Sequence, residues 1–170
     1  MQDYIRLQSG RKFRYHKPRP QDICIEDVAH NLSHLCRFTG ACSRFYSVAE
    51  HSVHCSMFAP QGHELEVLMH DSQESVVADV NSIQKRLLPQ YKSLELRIEQ
   101  LFAKKWRLPF PANPVVKEVD IRMLATEMKQ LLPGDDWRKM NVALYDIKLP
   151  CWSPERARRE FMKRFNRLSK

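Results

Sequence analysis

The sequence predicts a mostly α-helical fold, a compact bundle of helices with at most a few short peripheral strands. Apolar residues recur at intervals of three and four along most of the chain. Helix-capping and proline signals stand at the starts of several of these segments. A length of 170 residues with 43% hydrophobic content suits one domain with its own core and is small for two. We therefore expect a single domain over residues 1–170.

Capping and proline signals set the predicted helix boundaries. Ser47 and Glu50 form a capping-box pattern, with serine at the N-cap and glutamate at N3. Ser153 followed by Pro154 is typical of a helix start and opens a basic C-terminal helix over residues 153–170. In chain order, the predicted helices run from Asp22 or Glu26 to Cys36, from Ser47 to about Phe58, from about His63 to Ala78, from about Pro89 to Trp106, from about Pro114 to Leu132, and from Ser153 to the end of the chain.

The segments outside the helices are expected to be an arm, two turns and short strands. Residues 1–20 are expected to form an extended basic arm that contains prolines. A loop around Gly40 is expected over residues 39–45, and a turn over residues 133–136. Short strands are expected near Tyr4–Leu7 and Tyr145–Ile147.

The positive charge is concentrated at the two ends of the chain. The formal net charge is +8, and residues 1–20 hold six basic side chains against one acid. Residues 154–170 hold seven against two, whereas the residues between the two ends carry a slight excess of acid. A basic helix can contact nucleic acid or attract phosphorylated ligands. Because no aromatic residues are interleaved with base-reading side chains, we interpret the C-terminal helix as a solvated face or a subunit contact, without a nucleic-acid partner.

Several protein classes are excluded by composition and missing motifs. Neither GxGxxG nor GxxxxGK[ST] occurs, which argues against a Rossmann domain and a P-loop NTPase. No apolar run approaches the roughly 18 residues of a membrane span, and the N-terminal residues do not resemble a signal peptide. The five cysteines contain no CxxC pair and are expected to be reduced thiols. A cytoplasmic protein with no membrane partner is therefore expected.

Four ionisable residues lie where helical spacing places apolar side chains. His51 and Asp120 have apolar neighbours at helical spacing, and His70 and Asp71 directly follow an apolar triplet. A buried charge needs a partner or a metal ion. Two imidazoles and two carboxylates from three helices suit a divalent ion with open positions for water and a phosphate oxygen. We therefore predict one metal site for zinc, cobalt or manganese, with magnesium as a further ion on the phosphates.

Other histidines are alternatives to this set. His30 and His34 are spaced i, i+4 and could chelate a metal, but no pair of carboxylates accompanies them. His54 lies three residues after His51 and could replace it. Any one of the four residues alone could be an ordinary core or surface side chain, whereas the set is much more specific.

The H…HD…D pattern of His51, His70-Asp71 and Asp120 resembles that of the HD-domain metal-dependent phosphohydrolases. The segments AEHS and HDSQE, the latter followed by Asp79, are similar to those of bacterial 5′-deoxynucleotidases and phage dATP triphosphohydrolases in that superfamily. The similarity runs from IEDVAHNLSHLCRF through LPGDDWR to the WSPERARREF tail, about the whole chain. It implies an HD-domain helical bundle, the same four metal ligands, a dimer or hexamer, and the cytoplasm of a bacterium or of a phage-infected host cell.

The resemblance also implies two catalytic carboxylates. Glu74 and Asp79 match positions that act on the attacking water or hold the substrate. On a continuous helix Glu74 follows His70 by four residues and Asp71 by three, so it would lie over the same opening and could orient water or a sugar hydroxyl. Asp79 could instead cap the next segment.

Four further residues are implied to bind the substrate. Arg37, Lys85 and Lys117 match phosphate-contacting residues, and Lys117 stands one helical turn before Asp120. Phe38 stands where the relatives carry a base-stacking tryptophan. Each of the three cations could instead be a solvated surface charge. Phe38 and Gly40 depart from the family pattern where the base would stack, which leaves the base open.

The predicted function is metal-dependent hydrolysis of a small deoxynucleotide. Three cations favour a triphosphate, and the best match is a dATP-type triphosphohydrolase that releases deoxynucleoside and tripolyphosphate. A 5′-nucleotidase acting on deoxynucleoside monophosphates is one alternative. A nucleic-acid-binding protein with a degenerate HD fold is an alternative of another class.

Overall fold

A computed structural model describes residues 3–134 and 136–170 of the chain. Met1 and Gln2 of the predicted arm and Asp135 of the predicted turn lie outside the described residues. The described part is a compact, mostly helical bundle with one two-stranded sheet, which confirms the predicted fold class. Its strands and helices are β1 (Ile5–Arg6), β2 (Lys12–Phe13), α1 (Ile25–His34), α2 (Val48–Phe58), α3 (Glu64–Met69), α4 (Glu74–Val77), α5 (Ser82–Leu87), α6 (Pro89–Trp106), α7 (Pro114–Leu131) and α8 (Pro154–Leu168).

The N-terminal arm folds back as a short antiparallel hairpin. Strands β1 and β2 pair Ile5 with Phe13, and the side chain of Phe13 is fully buried. The backbone N–H and the hydroxyl of Ser9 both donate to Asp27 on α1, at 2.8 and 2.6 Å. The strand predicted near Tyr4–Leu7 is therefore confirmed, and the arm is packed against the bundle rather than simply extended.

Helix α2 is the central element of the bundle. All of its residues from Val48 to Ser56 are buried, and it packs against α1, α3, α7 and α8. Its N-cap is Ser47, whose hydroxyl accepts from the backbone N–H of Glu50 as the capping signal predicts. The Glu50 carboxylate does not complete the box. It accepts instead from the N–H groups of Cys151 and Trp152, at 2.9 and 2.6 Å, and so ties α2 to the segment before α8.

The single helix predicted from His63 to Ala78 is wrong. The chain forms α3 and α4, separated by a turn over residues 70–73. Within this region the hydroxyl of Ser75 donates to the carbonyl of Ser72, and Asn31 donates to the carbonyl of Ser75 at 2.7 Å. In these bonds the carbonyls of Ser72 and Ser75 accept from side chains, whereas in a continuous helix such carbonyls accept from backbone N–H groups. The turn contains His70 and Asp71, so it decides where both side chains point.

The long helices of the second half follow the sequence signals closely. Helix α6 has the predicted bounds, α7 ends one residue earlier than predicted, and α8 starts at Pro154 with Ser153 as N-cap. Helix α5 was not predicted as an element; Asn81 caps its N-terminus.

The strand predicted at Tyr145–Ile147 is wrong. Residues 145–147 lie along α7, where Tyr145 N–H donates to Thr126 and the Ile147 carbonyl accepts from Gln130. Their backbone groups therefore bond to side chains of a helix rather than to a second strand.

Candidate metal centre

The structure brings His51, His70, Asp71 and Asp120 together, and the ligand atoms of His51, His70 and Asp120 all lie within 4.8 Å of one another. The two imidazole Nε2 atoms are 3.4 Å apart. The Asp71 carboxylate lies 3.6 Å from His51 Nε2 and 3.1 Å from His70 Nε2. The Asp120 carboxylate lies 3.5 Å from His51 Nε2 and 4.0 Å from His70 Nε2. Three elements meet here, because α2 supplies His51, α7 supplies Asp120, and the turn after α3 supplies His70 and Asp71.

These distances fit ligands that share one divalent ion. An ion about 2.1 Å from each donor atom separates tetrahedral ligand atoms by about 3.4 Å. The separations of 3.4–4.0 Å among the ligand atoms of His51, His70 and Asp120 lie around that value. Asp71 lies outside this group of three and contacts both imidazoles. Two neutral imidazoles and two carboxylates are a donor set suited to a first-row transition metal. The residues present therefore fit such an ion.

Each histidine is oriented through its second ring nitrogen. His51 Nδ1 donates to Glu127 Oε1 at 2.6 Å, and both side chains are fully buried. His70 Nδ1 donates to the carbonyl of Val67 at 2.7 Å. A proton held at Nδ1 leaves Nε2 with a free lone pair toward the other ligands, which is the tautomer that a metal requires.

The electrostatics of the cluster favour a cation. Burial opposes ionisation of Asp71, but the adjacent His70 and the nearby His51 outweigh it and hold the pKa of Asp71 at about 2. Burial likewise opposes ionisation of Asp120, and the two histidines hold its pKa below its ordinary value. Burial and Arg37 oppose protonation of His51, but the surrounding acidic groups, Glu127 among them, hold its pKa well above the ordinary value. Without a metal, the raised pKa values favour protonated forms of His51 and His70, and a divalent ion would displace those protons.

Glu127 is a site residue that the sequence analysis missed. Its carboxylate bridges His51 and Arg37: one oxygen accepts from the imidazole, and the other accepts from Arg37 Nε and lies 3.0 Å from Arg37 Nη2. Burial would raise the pKa of Glu127, but Arg37 and His51 outweigh it and lower the pKa. An available signal was its position seven residues after Asp120, on the same face of α7, with buried Met123 and Leu131 one turn away on each side.

Arg37 is placed beside the metal ligands but is already paired. It is 8% exposed, and its Nη1 lies 3.9 Å from Asp71 Oδ2. Its Nε and Nη2 atoms face Glu127, which leaves the Nη1 edge directed at the metal cluster. The ring of the half-buried Phe38 lies 5.3 Å from the guanidinium carbon. The structure thus places Arg37 at the cluster and Phe38 beside Arg37.

Glu74 and Asp79 lie on the α4 side of the cluster. Glu74 is 5% exposed, and no described residue donates a hydrogen bond to its Oε2. Burial and the charges of Asp71 and Asp79 raise the pKa of Glu74 well above its ordinary value. Burial and Asp71 raise the pKa of Asp79, while Arg37 opposes the shift. A buried carboxyl oxygen without a donor is suited to a water or a substrate hydroxyl.

The two predicted lysines flank a cavity of about 300 Å³ next to the ligands. Lys117 is exposed and lies 2.8 Å from Asp120 Oδ2. Lys85 on α5 lies 3.8 Å from Glu74 and 2.5 Å from Glu95. The cavity is lined in part by His70, Asp71, Lys85, Glu95, Glu99, Lys117 and Asp120. Glu95 and Glu99, both on α6, were not among the predicted site residues.

The alternative histidines lie elsewhere. His54 is buried between Tyr46, whose hydroxyl is 3.2 Å from Nδ1, and the ring of Trp152. The His30 and His34 rings lie 4.3 Å apart on α1, and His34 Nδ1 donates to the carbonyl of His30. Among the described residues, no group of side chains placed to hold a metal ion includes His30, His34 or His54.

The chain is similar in sequence to proteins of Escherichia coli and Rhodobacter capsulatus. No protein-family model matches it. It is 40% identical over 172 residues to the uncharacterized protein YfdR of Escherichia coli (strain K12), an alignment covering 98% of this chain and 96% of that protein. It is 29% identical over 140 residues to an uncharacterized protein of Rhodobacter capsulatus, covering 74% of this chain and 71% of that protein. Within the described residues, no helix is both long and apolar enough to cross a membrane. The first of these identities extends over nearly the full length of both proteins, and the chain therefore belongs to the family of E. coli YfdR.

Proposed function

We propose that this protein is a divalent-metal-dependent phosphohydrolase that acts on deoxynucleotides. The observation that carries the proposal is the convergence of His51, His70, Asp71 and Asp120, with each imidazole oriented by an acceptor at its Nδ1. A purely structural core has little reason to gather two histidines and two carboxylates at one point, because charged groups are costly to bury. The H…HD…D order of these ligands agrees with the HD-domain phosphohydrolases that the sequence resembles.

A divalent ion in such a site supplies Lewis acidity toward water and phosphoryl oxygen. His51, His70, Asp71 and Asp120 would hold the ion, and the adjoining cavity, which the last three of these residues line, would receive the phosphate. Glu74 orients water through the oxygen that lacks a donor, and Asp79 holds the sugar end of the substrate. The free edge of Arg37 and the amino groups of Lys85 and Lys117 neutralise phosphate charge as it grows, and Phe38 stacks the base.

The preferred substrate in this proposal is a deoxynucleoside triphosphate of the dATP type. Water attacks the α-phosphorus, the bond to the 5′-oxygen breaks, and deoxynucleoside and tripolyphosphate leave. Three cations around one phosphate site exceed what a monophosphate needs, which favours the longer phosphate chain. An additional magnesium ion on the β- and γ-phosphates would balance the remaining charge.

A 5′-nucleotidase acting on deoxynucleoside monophosphates is the second candidate. The ion pair between Lys85 and Glu95 at 2.5 Å favours it, because that lysine is already neutralised. Glu99 adds a further carboxylate to the cavity wall. A rim with these two acids would repel a long polyphosphate more than a single phosphate.

Product analysis separates the candidates. The purified protein is incubated with each dNTP and dNMP in the presence of Co²⁺, Mn²⁺ or Zn²⁺, and products are separated by chromatography. We expect tripolyphosphate and deoxynucleoside from one preferred dNTP, lost in Asp71→Ala and retained in Asp146→Ala, an exposed aspartate outside the site. Inorganic phosphate from dNMPs alone would replace the proposal with the nucleotidase. No product from any nucleotide would refute hydrolysis and revive the nucleic-acid-binding alternative.

A further inference from the structure

A second cavity lies on the other side of helix α2 from the metal centre. It has a volume of about 670 Å³ and runs between the C-terminal halves of α2 and α8. Val53 and Met57 form part of its floor. They lie at about 160° and 120° from His51 around the axis of α2. None of the four metal ligands lines this groove. The groove is therefore distinct from the site described above.

The groove combines an apolar floor with a cationic wall. Val53, Met57 and Trp152 supply apolar surface, and Met57 is 57% exposed although it lies in a well-packed helix. Helix α8 and the residues that follow it supply the other wall, with charged and polar side chains at Glu160, Lys163, Arg164, Asn166, Arg167 and Lys170. Four cations thus face one carboxylate, and Glu160 is already 3.5 Å from Arg159, which does not line the groove.

Part of this wall is fixed in place. Arg164 donates to the hydroxyl and the carbonyl of Ser56 on α2, at 2.9 and 2.6 Å, which holds the two helices at a set distance. Lys163, Arg167 and Lys170 form a stripe at helical spacing and make no ion pair with a described carboxylate. The indole N–H of Trp152 is buried and has no acceptor among the described residues. The groove therefore offers several positive charges that form no ion pair in the part of the chain that the structure describes.

We propose that this groove is a binding site for a small anionic molecule that carries an apolar or aromatic group next to its charge. Its volume is within the range of small-molecule sites. The three unpaired cations select a negative ligand, and the apolar floor requires more than a bare phosphate or a nucleic-acid backbone. A solvated helix face needs no such floor.

The test uses 1-anilinonaphthalene-8-sulfonate, an aromatic anion whose fluorescence rises in an apolar site. We expect one saturable site per chain, with binding unchanged in EDTA because the metal centre is not involved. In Lys163→Gln/Arg167→Gln the affinity falls roughly tenfold, since two exposed charge contacts change an equilibrium constant by about that factor. In Lys104→Gln/Lys105→Gln, which removes two exposed charges on α6, the affinity stays the same.

Two further measurements keep the test decisive. N-phenyl-1-naphthylamine, the uncharged counterpart of the probe, binds more weakly if the cations select the ligand. Equal affinity in the two double variants, or equally tight binding of the uncharged dye, overturns the proposal.

Light scattering tests whether the groove is instead a contact between copies of the chain. If Lys163→Gln/Arg167→Gln turns an oligomer into monomers, the groove is such a contact and the proposal is wrong. Because Lys163 and Arg167 are exposed, their replacement should leave the fold intact, and unfolding midpoints verify this.

Discussion

Glu127 connects the metal centre to the substrate side of the site. It holds the Nδ1 proton of His51 and, through its other oxygen, neutralises the buried guanidinium of Arg37. A lone arginine that is 8% exposed would be costly to bury, and so would a lone glutamate that is fully buried. The pair therefore places a cation beside the proposed phosphate site at low cost and fixes the tautomer of His51, a proposed metal ligand.

Replacing Glu127 with glutamine is expected to weaken metal binding about 10- to 100-fold. The amide still accepts a hydrogen bond from His51 but no longer carries the charge that makes the imidazole more basic. The measurement is calorimetric titration with Zn²⁺ at pH 7, with circular dichroism to verify folding. Glu118→Gln, at an exposed position on the same helix, should bind zinc as the unmodified protein does. Unchanged zinc affinity in Glu127→Gln would show that Glu127 does not act through His51.

His54 gives the fold a defined dependence on pH. Burial lowers its pKa to about 4, below the value of about 6.5 for an unfolded histidine. As the pH falls, the unfolded chain takes up the proton first, so the stability from neutral His54 is present above about pH 6.5 and lost toward about pH 4. Between pH 7 and 4.5 this contribution falls by about 2 kcal/mol.

The variant His54→Gln removes this titration and keeps a polar partner for Tyr46. Urea unfolding of both proteins in EDTA, at pH 7 and 4.5, isolates the effect because the other titrating groups are common to both. The free energy of unfolding should fall less with pH in the variant. Equal losses in the two proteins would mean that His54 is not buried in its neutral form.

The sequence predicts much of the site at the level of single residues. His51 and Asp120 stand out because each interrupts an apolar helical face. Glu127 carries the same signal, and the rule that selects Asp120 applies to it equally. Its pairing with His51 depends on how α2 packs against α7, which the sequence pattern does not contain. The bond between Lys85 and Glu95 likewise depends on the packing of α5 on α6.

At the scale of elements, the turn after α3 has the largest effect on the site. On a continuous helix His70 and Asp71 would diverge by about 100°. In the turn, His70 Nε2 and Asp71 Oδ2 lie 3.1 Å apart and can share one ion. Apolar periodicity continues through this region, and it contains no glycine or proline to mark the break. The apolar pattern therefore predicts one continuous helix, and it does not reveal the tertiary hydrogen bonds that break this helix into α3 and α4.

Ala78, which ends α4, adopts a backbone conformation that favours glycine. Its φ is 69° and its ψ is 159°, a region that costs about 1–3 kcal/mol for a residue with a Cβ atom. The hydroxyl of Tyr91 donates to the carbonyls of Val77 and Ala78 and holds the conformation in place.

The variant Ala78→Gly is expected to raise the free energy of unfolding by about 1 kcal/mol, because the relief of strain exceeds the added entropy of the unfolded chain. Thermal and urea denaturation measure the change. Ala41→Gly is the matched control, since Ala41 is exposed with φ of −73° and glycine there should destabilise the fold by about 0.5 kcal/mol. Destabilisation by both glycines would rule out strain at Ala78.

At the scale of the whole molecule, the proposed metal site predicts that metal binding and folding are coupled. The ligands come from α2, the turn after α3, and α7, so an ion bound to all of them connects three parts of the bundle. A ligand that binds the folded state alone, at about one hundred times its dissociation constant, stabilises by about 2.7 kcal/mol. We expect Zn²⁺ or Co²⁺ to raise the unfolding midpoint of the protein and EDTA to reverse the rise.

The matched variants for this prediction are Asp71→Ala, which removes a ligand, and Asp146→Ala, which removes an exposed carboxylate of the same type. The metal-induced shift should disappear in the first and persist in the second. A shift of equal size in both would indicate that the ion stabilises the chain from another position.

The proposed function depends on one divalent ion bound by His51, His70, Asp71 and Asp120. Anomalous X-ray diffraction at the zinc edge, from crystals of the protein grown with Zn²⁺, would locate that ion. We expect one strong peak about 2.1 Å from both Nε2 atoms and from an oxygen of each carboxylate. A peak at His30 and His34 with none between α2 and α7 would contradict it.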